Sequence, residues 1–270
     1  MKILTLLAKK QSYPKEIAKR LNVHEQKVYY HMRNMEKSGI IKIARKEEHG
    51  GAMAKIYALT KPSFFIRFKD FELANRIPRS GNCFLEPFIA NGSLDAKIVV
   101  GSPDPHGPEK ARARDISYAI ELALFLGTFI NNFNKSSTVF DTDMHEDDLK
   151  NNLILIGGPV TNKITRKINE RLPVRFDDKK NIISTLSKRK YITDESGIIV
   201  KIKNPYDESK KILVIAGKRY SGTKAAILAL LKNLDEIGKG NKHNKKIDAK
   251  VVEGLDSDYD GITDDVRILE

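Results

Sequence analysis

Apolar residues recur at helical spacing in three short bursts at the start of this chain. Ile3 to Lys9 is apolar on one side. The segment YPKEIAKRL, Tyr13 to Leu21, carries Pro14 at a first-turn position, which suits a helix start. Asn22 and Val23 break that pattern. In HEQKVYYHMRNMEKSG, Val28, Met32 and Met35 stand at i, i+4 and i+7, a single apolar stripe, and Gly39 is a C-cap candidate. The period then changes. IIKIARKEE and AMAKIYALT read as two strands joined by a hairpin turn at His49-Gly50-Gly51.

From Gly81 onward, strand-like and helix-like segments alternate. AKIVVGS is an apolar run, and DISYAIELALFLGTFI has apolar residues at helical spacing. STVFDTD and NLILIGGP are strands, and VTNKITRKINERL is a helix that starts at a Gly-Gly-Pro turn. VRFD, NIISTLS and GIIVKIKNP follow as strands, then ILVIAGKRYSGTKAAILALL as strand, Gly-bounded loop and helix. KKIDAKVVEGL and DDVRILE close the chain as strand-like pieces. This alternation predicts an α/β domain with a mixed sheet, at least partly parallel. The expected division is a winged helix-turn-helix over 1–60, a connecting helix or linker over 61–80, and the α/β domain over 81–270.

Helix, helix-turn-helix and hairpin is the order of a winged helix, in which the second helix of the pair enters the major groove and the hairpin straddles the backbone. The segment EIAKRLNVHEQKVYYHMRNMEKSGII resembles the ArsR-type winged helices of archaeal and bacterial regulators. With Val28, Met32 and Met35 inward, Gln26, Lys27, Tyr29, Tyr30, Arg33 and Lys37 fall on the outward face. Gln and Arg suit base edges and Lys suits phosphates; Arg45, Lys46 and Lys55 fall on the wing. His31 reads as a packing or capping residue rather than a base contact. Metal-sensing relatives carry Cys thiolates on this helix, and none is present here.

In the second half, NLILIGGPVTNKIT, ILVIAGKRYSGTKAAILALL and VVEGLDSDYDGITDD are similar to the C-terminal domain of archaeal surface-layer (S-layer) proteins. The resemblance implies a shared S-layer-like fold and little about activity. Size, charge and architecture together also resemble archaeal ribosome dimerisation factors. These are homodimers that bridge small ribosomal subunits and keep the large subunit off.

Charge sharpens the picture. Of the formal +13, residues 1–80 hold 18 Lys/Arg against 7 Asp/Glu, and the remainder is nearly balanced. A basic surface can serve solvation alone, but its coincidence with the winged-helix pattern favours a polyanion partner. That partner is duplex DNA or, on the second resemblance, ribosomal RNA and proteins of the small subunit; self-association as a homodimer is expected with either. The 31% charged content fits an ion-pair-rich protein of a hot environment. One cysteine, Cys83, excludes an internal disulfide or a Cys-based zinc site. Neither the N-terminus MKILTLLAKK nor Ala119–Ile130 suits a signal peptide or a span, so a cytoplasmic protein with no membrane partner is expected.

Four stretches invite chemistry. Residues 61–80 mix Phe64, Phe65, Phe68 and Phe71 with basic residues, as a packing helix or an aromatic-basic surface. Gly101–Asp115 packs Asp104, His106, Arg112, Arg114 and Asp115 after a strand end, where open α/β sheets bind ligands. Ser102, Asp104 and His106 on one Pro-rich loop rarely form a triad, so a structural or partner-binding loop is preferred, and the loop is the first candidate for a small-molecule site. Asp256, Asp258 and Asp260 have calcium-loop spacing, yet position twelve is Arg267 where Glu is needed, so a self-capping turn is preferred. In GKRYSGTK, Thr223 precedes Lys224, the reverse of a phosphate-binding loop, which disfavours Mg²⁺-nucleotide chemistry. The reading is therefore a DNA-binding regulator without catalytic residues, metal or cofactor.

Overall fold

The computed structural model describes residues 2–49, 52–63, 81–131, 133 and 136–270. The chain divides into two compact units, Met1–Leu73 and Ala74–Glu270. The linker expected over 61–80, with Phe64, Phe65, Phe68 and Phe71, lies outside the described residues from position 64 onward.

The first unit comprises α1 (Lys2–Lys9), α2 (Pro14–Leu21), α3 (Glu25–Lys37), β1 (Ile41–His49) and β2 (Ala52–Leu59). Pro14 stands in the first turn of α2, where its missing N–H costs nothing. Asn22 ends that helix in the left-handed conformation, and its N–H reaches back to the carbonyls of Ala18 and Lys19. Leu7, Ile17, Ala18, Val28, Met32, Ile41 and Tyr57 form the core, with Met35 packed at its edge. Each fully buried aliphatic side chain contributes about 1.5–3 kcal/mol, so the apolar stripe of α3 is what fixes the helix to the unit. Ser12 pairs with Tyr57 through two backbone hydrogen bonds and adds a third rung beside the β1–β2 hairpin. The hairpin is antiparallel, with Ala44 as an extra residue where the register shifts between Ile43 and Arg45. Its turn, Gly50-Gly51, lies outside the described residues.

The second unit has the S-layer-like α/β fold. It opens with a small hairpin, β3 (Ile89–Ala90) and β4 (Ser93–Leu94). Then follow β5 (Lys97–Val100), α4 (Ile116–Gly127), β6 (Thr138–Phe140), β7 (Leu153–Ile156) and α5 (Lys163–Ile168). Next are β8 (Val174–Phe176), β9 (Ile182–Ser184), β10 (Lys190–Tyr191), β11 (Ser196–Asn204) and β12 (Asp207–Gly217). The chain closes with α6 (Tyr220–Ile237), β13 (Ala249–Leu255) and β14 (Asp265–Ile268).

The main sheet has seven strands in the order β14-β13-β11-β12-β7-β5-β6. It is mixed: β12, β7, β5 and β6 run parallel, whereas β11, β13 and β14 add antiparallel pairings. Both faces are covered. α4 and α6 pack on one core with Ile98, Ile154 and Ile215, and α5 packs on the other with Val99, Leu155 and Val214. That explains why LILI of β7 reads as a continuous apolar run with all four residues buried. The small sheet β8–β9–β10 adds to the α5 side.

Two details depart from the sequence reading. The helix expected over VTNKITRKINERL is α-helical only from Lys163 to Ile168 and tightens into a 3₁₀ turn over Asn169–Arg171. Asn169 ends it by turning its side chain onto the backbone of Phe176, donating to the carbonyl and accepting from the N–H. The strands β3, β4 and β10 are two residues long, too short to show a period.

Candidate nucleic-acid interface

The exposed face of α3 is built by what its other face buries. Val28 and Met32 are sealed in the core, which turns Gln26, Lys27, Tyr29, Tyr30, Arg33 and Lys37 to solvent. Gln26, Tyr30, Arg33 and Lys37 form one stripe at spacings of four, three and four residues, the surface repeat of an α-helix. Tyr30, on this stripe, is 65% exposed. The exposed charged residues of α3 are all basic, Lys27, Arg33 and Lys37. The helix's two glutamates are only partly exposed, and Glu36 accepts the Tyr57 hydroxyl at 3.2 Å. Burial and the Glu36 carboxylate together raise the Tyr57 phenol above its usual pKa.

His31 does not pack or cap. It is exposed, with its ring edge-on to Tyr30 at 5.4 Å between centroids. The cap is supplied by His24, whose Nδ1 accepts the Gln26 N–H at 3.3 Å. The sequence signal for this was its place just before the first helical residue, although His is an uncommon cap.

On the wing, Arg45, Lys46 and Lys55 are all exposed. Arg45 is already engaged by Glu47 and by Gln11. Lys46 lies directly opposite Lys55 across the hairpin. Among the described residues neither lysine has an ion-pair partner, and the same holds for Lys27, Arg33 and Lys37. Like charges facing each other across a β ladder cost stability, and an anion bound between them removes that cost.

In the second unit, the first part of the loop after β5 is held by its own hydrogen bonds. His106 places Nδ1 2.8 Å from the Asp104 carbonyl and Nε2 3.0 Å from the Thr161 carbonyl, with the Asp141 carboxylate 3.1 Å from the same nitrogen. Ser102 instead accepts the Asp104 N–H on its Oγ, so no Ser102–His106 hydrogen bond forms. With both ring nitrogens so engaged, His106 has none left to take a proton from a serine hydroxyl. Asp256, Asp258 and Asp260 converge to within 4.8 Å. Their carboxylates accept the backbone N–H groups of Asp260, Gly261 and Ile262, which is a self-capping turn.

In GKRYSGTK, the Thr223 hydroxyl accepts the Gly217 N–H at 3.0 Å and faces the Arg219 carbonyl, so it is not presented to a metal. Lys218 bonds Asp194 at 2.8 Å and the Ile192 carbonyl, and Arg219 lies 3.8 Å from the same carboxylate. Lys218 thereby holds Asp194 below the usual carboxylate range. No described helix is long and apolar enough to cross a membrane.

Comparison with known proteins agrees with the two-part fold. Residues 1–44 match a helix-turn-helix domain, and residues 131–234 match the outer domain of the S-layer like family. An uncharacterized protein of Methanocaldococcus jannaschii is 39% identical over 84 residues, which cover 31% of this chain and 17% of the relative.

Proposed function

We infer that this chain is a winged-helix regulator that binds duplex DNA as a homodimer in the cytoplasm. The observation that carries the reading is the α3 face, where Gln26, Tyr30, Arg33 and Lys37 form an exposed stripe that itself contains no acidic residue. A helix of this kind fits the major groove, with Arg33 and Gln26 able to pair bidentately with base edges and Lys37 with a phosphate. The wing lysines Lys46 and Lys55 then meet the backbone. The helix-turn-helix match over residues 1–44 supports the same module. A homodimer places two α3 helices on half-sites about 34–36 Å apart, and the exposed Ile120 and Leu124 of α4 offer apolar surface to a second copy.

The test is selection of duplexes from a random pool, followed by binding of the selected duplex in the presence of excess competitor DNA. Wild type is expected to retain the selected duplex, and Tyr30→Ala/Arg33→Ala to release it. Co-sedimentation with small ribosomal subunits combined with no enriched duplex would reject the regulator reading.

A further inference from the structure

The second unit carries a cleft of about 1560 Å³ at the carboxyl ends of β5, β7 and β12. Its walls are the loops that follow those strands, namely the end of Gly101–Asp115, the turn Gly158–Thr161 and Gly217–Lys224, together with Lys179–Lys180, Asp194–Glu195 and the end of β13 with the turn after it. The connections place it at a change of direction. β5 leads through α4 to β6 on one side, and β7 leads on towards β12 on the other. α4 and α5 lie on opposite faces. The edge between β5 and β7 is therefore a topological switch point, where open α/β sheets leave room for ligands.

The charges of the cleft are unevenly satisfied. Glu109 is held by Arg166 and Lys180, Asp194 by Lys218 and Arg219, and Glu253 by Arg267. Arg112, Arg114, Lys179 and Lys224 also line it, and among the described residues none of them has an ion pair or side-chain hydrogen bond. Asp115, Glu195 and Asp256 line the cleft without an ion pair among the described residues as well, so the unpaired cations exceed the unpaired carboxylates by one. Arg112 and Arg114 on the strand-end loop and Lys224 on α6 make an anion site of the kind in which guanidinium groups clamp phosphate. Tyr118 and Tyr220 stand in the same wall, the first half-buried and the second 56% exposed. Their rings supply the flat apolar surface on which a heterocycle stacks. Thr223 is tied to the Gly217 backbone, which fits binding better than phosphoryl transfer.

We propose that this cleft binds a mononucleotide as an effector, its phosphate on Arg112, Arg114 and Lys224 and its base against Tyr118 and Tyr220. The proposal does not rest on the DNA-binding reading, whose residues lie in the other unit.

The experiment is calorimetric titration of the full chain with AMP, GMP, CMP and UMP, with adenosine and inorganic phosphate as part-ligands. At least one mononucleotide is expected to bind saturably and more tightly than either part. Arg112→Ala/Arg114→Ala and Lys224→Ala should each weaken it by about tenfold or more. Both arginines are exposed, so the double variant is expected to melt like wild type. Lys46→Ala/Lys55→Ala should bind the nucleotide as wild type does. The proposal is overturned if none of the four nucleotides saturates by about 10 mM, a concentration beyond any useful effector affinity. It is equally overturned if adenosine or phosphate alone binds as tightly, or if affinity falls with the wing substitutions and not with the cleft ones.

Discussion

Lys46 of β1 stands directly opposite Lys55 of β2 in the ladder, with no carboxylate paired to either among the described residues. Facing like charges cost a hairpin a few tenths of a kcal/mol. An anion that sits between them reverses the sign of that contribution. Lys46→Ala and Lys55→Ala should therefore leave thermal stability unchanged or slightly raised while weakening duplex binding. For each DNA phosphate that a variant no longer neutralises, the slope of log affinity against log salt should also fall by about 0.9. Binding titrations at several salt concentrations check this. Unchanged slopes in both variants would remove the wing from the interface.

That pairing also shows where the sequence was legible and where it was not. The sequence reading puts His49 in the turn, which would set Glu48 against Ala52; the ladder instead pairs His49 with Ala52 and hence Lys46 with Lys55, so the hairpin was legible but its register was not. The Ala44 bulge carried no signal, because Ala at that site looks like any other strand residue. The exposed stripe of α3 followed directly from the buried one, since a helix that buries Val28 and Met32 has no freedom about Tyr30 and Arg33. In the second unit the strand runs were legible, as both faces of β7 are covered and its apolar run is unbroken. The cleft was legible only in part. The loop ending at Asp115 follows a strand and reads as a ligand-site candidate, but Arg112, Lys179 and Lys224 come from loops and a helix far apart in sequence, and only the fold brings them to one cavity.

Asp115 gives the second unit a pH dependence of known sign. The residue is 6% exposed, and burial raises its pKa from 3.8 to about 6, against a hydrogen bond from Thr161 that lowers it. Its folded pKa is above its unfolded one, so folding favours the protonated form. The contribution to stability is therefore most favourable below pH 3.8 and is lost as pH rises through about 6. Above that range the buried charge costs up to about 3 kcal/mol. Asp115→Asn keeps an acceptor for Thr161 and removes the charge. The variant should be more stable than wild type at pH 8 and similar to it near pH 4. Denaturant titrations of the pair at both values decide the matter, and a variant less stable at pH 8 would refute it.

Asn162 ties two parallel strands to a helix start. It is fully buried; its Nδ2 donates to the carbonyls of Val99 and Ile156, and its Oδ1 accepts the N–H groups of Ile164 and Thr165. Asn162→Ala leaves all four backbone groups without these partners, at a cost of about 3–5 kcal/mol. Asn162→Asp separates the two halves of the role. It keeps the cap on α5 but turns a carboxylate towards two carbonyl oxygens at the edge of β5 and β7. If the strand tie matters as much as the cap, the Asp variant should be nearly as unstable as the Ala variant. Chemical unfolding midpoints of the three proteins give the comparison.

Gly222 decides how the GKRYSGTK turn is to be understood. A side chain there would put its Cβ 2.0 Å from the Ser196 carbonyl oxygen, so α6 can lie against the start of β11 only because that position has none. Ser196 uses the same carbonyl to accept the Lys218 N–H, which prevents the strand from withdrawing without losing that bond. The glycine therefore serves helix–strand packing. Gly222→Ala should destabilise the second unit by about 3 kcal/mol or more, as overpacking against backbone does. Lys224→Ala, further along α6 and unpaired among the described residues, should leave stability within about 0.5 kcal/mol of wild type. If the turn were a phosphate-gripping loop, with its glycine kept for a ligand, the order would differ: Gly222→Ala would fold normally without ligand and fail only in binding. Unfolding curves recorded without nucleotide distinguish the two, and a stable Gly222→Ala protein would refute the packing account.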